Sequence, residues 1–117
     1  MVRNDGDRLS HMLEAAQKAS ALIEGLTASD LKADETRALA LTHLLEILGE
    51  AAKGVSPKTK ARYPQIPWAK MAATRDRLIH GYFSVDLDIV WEIASHDLPP
   101  VLASIETALN DVEQGGD

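Results

Sequence analysis

Two residues near the middle of the chain have types and spacing suited to chemistry on a phosphate: Arg75 and His80, in the segment Thr74-Arg75-Asp76-Arg77-Leu78-Ile79-His80-Gly81-Tyr82. On a wheel at about 100° per residue, Trp68, Met71, Ala72, Leu78 and Ile79 share one side, and Arg75 falls in the middle of that stripe. Lys70 and Arg77 fall on the opposite side, where charged residues belong. A guanidinium in an apolar stripe is costly unless something pairs with it. It can meet a neighbouring carboxylate, or reach solvent along its aliphatic stem. It can also point into a cleft, where its fork of donors suits a phosphate. His80 is expected at the end of the same helix, just before Gly81. The free carbonyls there would favour a protonated imidazole, useful either as a cap or for acid–base work. Asp76 lies beside Arg75 and could orient either residue.

Arg75 and His80 stand roughly 140° apart on an ideal wheel, so one regular helix would not converge them. Two copies related by a twofold axis could bring both pairs around one cleft. Other chemistry is poorly served. The chain has no cysteine, which excludes disulfides, thiolate nucleophiles and zinc–thiolate sites. His43, Glu46 and Glu50 share a helix, but the Glu-x-x-His pair of carboxylate-bridged metal bundles is missing; Glu92 and His96 are spaced differently. Gly-rich phosphate loops, serine elbows and His-Glu-x-x-His are all absent from the sequence. No metal or cofactor is expected. His11 and His96 read as surface or capping residues, Trp68 and Trp91 as core.

These residues must be positioned by helices. The sequence has 117 residues, 45% of them apolar and 26% charged, enough for one domain, 1–117, with a core of its own. The first helix is predicted from about Asp7 to Leu26, capped by Asp5 or Asp7. The second starts near Asp30 or Asp34 and ends near Lys53, with Gly54 as a left-handed stop. Its apolar face is broad. Leu41, Leu44, Leu45, Leu48 and Ala52 form a stripe that Ala40, His43, Ile47 and Ala51 widen, which suggests burial in the core and against another subunit. Ser56-Pro57 opens a short helix to about Tyr63. Pro67 opens the motif helix, which should run to Ile79 or His80. A last helical region starts near Asp86, and Pro99-Pro100 must kink or split it, with Asp97 capping the second part. The expected fold is all-α: an antiparallel four-helix bundle with a short connecting helix.

No apolar stretch approaches the roughly 20 residues that span a bilayer, and the polar N-terminus does not resemble a signal peptide. A cytoplasmic location without membrane contact is expected. The net charge of −6 speaks against broad phosphate neutralisation as a binding mode. It leaves room for a small local cationic site.

The segment Arg75, four residues, His80, one residue, Tyr82 resembles the motif of the HepT-like family of HEPN-fold ribonuclease toxins. Leu48-Gly49-Glu50-Ala51-Ala52-Lys53, Ile66-Pro67-Trp68, Phe83-Ser84-Val85-Asp86, Val90-Trp91 and Asp97-Leu98-Pro99 match the family's usual text in order, so the likeness covers nearly the whole chain. Members commonly have Gly-Met before the arginine and Asn after it, where this chain has Ala73-Thr74 and Asp76. The resemblance implies a HEPN fold and metal-independent RNA cleavage in a cleft between the two protomers of a homodimer. Arg75 would hold the scissile phosphate, His80 would move protons and Asp76 would orient the pair. It also implies an MntA-type nucleotidyltransferase antitoxin that transfers AMP to Tyr82. The other reading of the same residues is a helical binding module that partners such an enzyme without cutting RNA; the intact Arg75–His80 pair favours the ribonuclease.

Overall fold

The computed structural model describes residues 3–80 and 84–115, and for 3, 4, 75, 79, 80 and 84 the backbone alone. The chain folds as the expected all-α HEPN bundle. In order it forms α1 (Arg3–Ile23), α2 (Ala28–Lys32), α3 (Glu35–Lys53), α4 (Pro57–Arg62), α5 (Trp68–Ala72), α6 (Thr74–Leu78), β1 (Ile79–His80), β2 (Ser84–Val85), α7 (Leu87–Glu92), a π-helical turn (Ile93–Asp97) and α8 (Pro99–Glu113).

The scaffold is α1 packed against α3 and α8. Leu9, Met12, Leu41, Leu45 and Ile105 are fully buried at its centre. Each removes a whole side chain from water, worth about 1.5 to 3 kcal/mol apiece. Local signals explain where the helices begin. Asp34 caps α3 by accepting from the Arg37 amide at 3.0 Å. Ser56 caps α4 ahead of Pro57, and Asp86 caps α7 through the amides of Asp88 and Ile89. Thr27 and Asp30 form a reciprocal capping box that creates α2, a separate turn where the sequence suggested at most an earlier start of α3.

Four boundary expectations are corrected. The first helix starts at Arg3 and stops at Ile23, with Gly25 taking the left-handed conformation at φ 78°. Asp5 therefore does not cap it. The Asp5 side chain is buried and accepts from the Ser56 amide (3.0 Å), the Ser56 hydroxyl (2.6 Å) and the Thr59 hydroxyl (2.5 Å), fastening α1 to the start of α4. Burial alone would raise its pKa, but these hydrogen bonds and the nearby Arg8 charge outweigh it and hold the carboxyl below its usual value. Gly54 ends α3 at φ −86°, in the right-handed region. The Arg8 guanidinium lies over it, where a Cβ would make that flexible side chain move aside. The fourth correction concerns the motif helix, which breaks at Ala73 and ends at Leu78.

The last helical region is interrupted at the two prolines, as expected, and the interruption takes the form of a π turn. Pro99 crowds the carbonyl a turn earlier. The chain widens so that the Leu98 amide donates to the Ile93 carbonyl, five residues back, at 2.9 Å. Leu98, with no side-chain cap, occupies the N-cap position of α8, and Asp97 is free for another partner.

Among the described residues, no helix is long and apolar enough to cross a membrane.

Candidate functional site

Arg75 and Asp76 lie on α6, and His80 on β1, which follows α6 directly. α6 has five residues, far too few to be helical on its own. Its position is borrowed from neighbours. Leu78 is fully buried, Thr74 is buried and donates to the Lys70 carbonyl at 3.4 Å, and the Asp86 amide donates to the Leu78 carbonyl at 2.7 Å. β1 and β2 then pair antiparallel, Ile79 with Val85 and His80 with Ser84. The backbone is thus extended at His80. This overturns the expectation of a histidine at the C-terminal end of the motif helix, which stops at Leu78. The 140° separation assumed a regular helix through His80, and it lapses for the same reason.

The side chains of Arg75 and His80 lie outside the described residues, as do Gly81, Tyr82 and Phe83 altogether. Asp76 is exposed.

α3 carries the motif region on one flank. A Cβ at Gly49 would sit 2.7 Å from the Met71 carbonyl oxygen and 3.5 Å from Thr74 Cβ, so only glycine lets the α5–α6 junction approach this closely. Arg77, which the wheel places with Lys70 on the charged side, is half-buried and ion-paired. Its Nη1 lies 3.6 Å from Asp97 Oδ2, and Lys70 Nζ lies 3.2 Å from the same oxygen. Asp97 therefore serves as an ion-pair acceptor, correcting its expected role as the cap of α8. Wheel arithmetic missed both residues because the pairing crosses from α6 to the π turn.

Tyr63 and Trp68 brace the segment leading into α5. Trp68 Nε1 donates to the Tyr63 carbonyl at 3.0 Å, and the Tyr63 hydroxyl donates to Asp111 Oδ2 at 2.5 Å. Burial raises the Tyr63 pKa, and the Asp111 hydrogen bond adds to that.

The broad apolar face expected of the second helix is divided in the structure. Leu41, Leu45 and Leu48 are core, while Leu39 (63%) and Ile47 (37%) remain exposed with His43 beside them. A groove of about 640 Å³ runs along this face, lined by Arg8, His11, His43, Glu46, Ile47 and Glu50, among others. His43 Nδ1 lies 3.9 Å from Glu46 Oε1 in it. His96 is exposed as expected, and Trp68 and Trp91 are partly buried against the core.

Comparison with known proteins gives this arrangement a family. A family model described as Ribonuclease HepT-like matches residues 12–108. The chain is 34% identical over 106 residues to "Probable ribonuclease HepT" of Thermococcus cleftensis, covering 91% of this chain and 96% of that one. It is 30% identical over 101 residues to a "Putative RNase" of Caldanaerobacter subterraneus subsp. tengcongensis, covering 86% and 90% of the two. A third relative, from Methanocaldococcus jannaschii and also named as an RNase in that form, is 35% identical over 88 residues, 75% of this chain and 73% of its own. No solved structure matches. With the model spanning both the scaffold helices and the Arg75-to-Tyr82 segment, the chain belongs to the HepT-like ribonuclease family.

Proposed function

We propose that this chain is a metal-independent endoribonuclease whose site is shared by two copies, the toxin half of a type VII toxin–antitoxin system. The observation that carries the reading is the Arg75-x4-His80-x-Tyr82 segment, intact inside a family match that covers residues 12–108. Arg75 holds the scissile phosphate and stabilises the negative charge that grows on it during attack. The ribose 2′-oxygen gives up its proton, bonds to phosphorus and displaces the 5′-oxygen, which takes a proton as it leaves. The products are a 2′,3′-cyclic phosphate and a 5′-hydroxyl, so DNA is not cut. His80 serves one or both of these transfers. Asp76, on the same turn as Arg75, orients the pair.

A homodimer is the natural setting. The exposed Leu39 and Ile47 on α3 offer apolar area for a second copy, and a twofold axis would double the Arg75–His80 set around one groove. Regulation follows from Tyr82. An MntA-type nucleotidyltransferase would direct the tyrosine oxygen onto the α-phosphorus of ATP, releasing pyrophosphate. A bulky anionic adenylate two residues from His80 would fill the groove and repel RNA.

The test is cleavage of RNA with a chelator present, by the wild type and by Arg75→Ala and His80→Ala. Losses of about a hundredfold or more in both variants are expected. Undiminished cleavage by both removes the mechanism. Inert wild type, with the nucleotidyltransferase still bound, supports the non-catalytic binding module instead.

A further inference from the structure

We infer that Asp97 is a positioning residue for the motif helix, acting through Arg77 and Lys70. The inference rests on the ribonuclease reading for its catalytic consequence and on geometry for the rest. α5 and α6 are separated by a break at Ala73, and each is only five residues long. Lys70 belongs to α5 and Arg77 to α6, and both reach the same oxygen of Asp97, at 3.2 and 3.6 Å. Asp97 thus spans the break from outside.

That oxygen is shut off from solvent and makes no aligned hydrogen bond, so the ammonium and guanidinium are what compensate its charge. Removing either leaves a carboxylate oxygen buried with half its compensation. The π turn matters here. Its extra residue turns the following side chains by roughly 100° compared with an uninterrupted helix. The turn that accommodates Pro99 therefore also decides where Asp97 points.

Apolar packing is incomplete on this side of α6. A half-open pocket of about 320 Å³ lies there, lined by Leu48, Met71, Thr74, Arg77, Ile93 and Asp97, among others. Leu78 anchors α6 from within, and the ion pairs hold the side that faces the pocket. Arg77 is two residues from Arg75 and one from Asp76. A roll of this single turn displaces both, and a displacement near 1 Å at a reacting group is costly in rate.

The experiment compares wild type with Asp97→Asn, Asp97→Glu, Arg77→Gln and the Asp97→Asn/Arg77→Gln double variant. Amide hydrogen exchange and RNA cleavage are both measured. Asp97→Asn should speed exchange over 74–78 about tenfold and leave α1 and α3 protected. It should lower kcat about tenfold with KM nearly unchanged. Asp97→Glu should recover part of the loss. Adding Asp97→Asn to Arg77→Gln should cost less than about twofold more. Unchanged exchange over 74–78 overturns the clamp, and so does protection lost equally throughout the bundle. Full-rate cleavage by a loosened Asp97→Asn overturns its role in positioning the site. Should wild type cut no RNA, the proposed function fails, while the exchange measurement still decides whether Asp97 holds α6.

Discussion

The α1–α3–α8 scaffold and the α5–α6–β1–β2 segment are held together in different ways. The scaffold helices are 15 to 21 residues long and meet through fully buried Leu, Met and Ile side chains. The motif segment is built from five-residue helices and two-residue strands. It is held by Leu78, by one backbone hydrogen bond from Asp86, by the close approach at Gly49 and by the Asp97 ion pairs. Apolar burial is non-directional and large, and it sets whether the molecule folds. Apart from the buried Leu78, the second group of contacts is directional and individually modest, and it sets where the backbone of Arg75, Asp76 and His80 stands.

That contrast can be broken from the scaffold side first. Leu45→Ala removes a fully buried side chain from α3 and should cost about 3 to 4 kcal/mol, lowering the melting temperature by on the order of 10 °C or more. Cleavage by the fraction still folded should be nearly normal; calorimetry beside an RNA assay at low temperature checks both.

Asp5→Asn comes next. It faces two hydroxyls and an amide with a poorer acceptor, and about 2 kcal/mol should be lost near neutral pH. The folded pKa of Asp5 is depressed. Its contribution is therefore present above the unfolded carboxylate value, near about 4, and is lost as pH falls through the lower folded value. The gap in stability between wild type and Asp5→Asn should accordingly close in acid. A gap that stays constant from neutrality down to about pH 3 would contradict the assignment.

Gly49→Ala is the smallest in stability and the most telling. Helix propensity gains about 1 kcal/mol, while the added methyl meets the Met71 carbonyl and pushes the α5–α6 junction outward. A net loss near 1 kcal/mol is expected, with a fall in cleavage clearly larger than the stability change explains. A variant as active as wild type would mean that the junction's distance from α3 does not matter to the site.

Much of the scaffold is legible in the sequence because its signals are local. Asp34, Ser56-Pro57 and Asp86 each start a helix through hydrogen bonds reaching only two or three residues. The Pro99-Pro100 interruption is equally local. The break at Ala73 is not: nothing in Ala72-Ala73-Thr74 stops a helix by itself. The residues that meet the chain on either side of it, Gly49 and Asp97, are more than 20 residues away in the sequence. The role of Asp5 is equally non-local, since it depends on Ser56 and Thr59. At the site, residue types and spacing pointed to Arg75 and His80. The extended backbone at His80 was hidden because its ladder partner, Ser84, lies beyond a turn that helical periodicity cannot see.

The proposed site needs two copies of the chain. A dilution series in which the RNA cleavage rate per protomer is measured, with the mass of the same samples followed by sedimentation, decides whether it does. Activity should fall in step with the dimer fraction. Full activity per protomer in samples that sediment as monomers would contradict it.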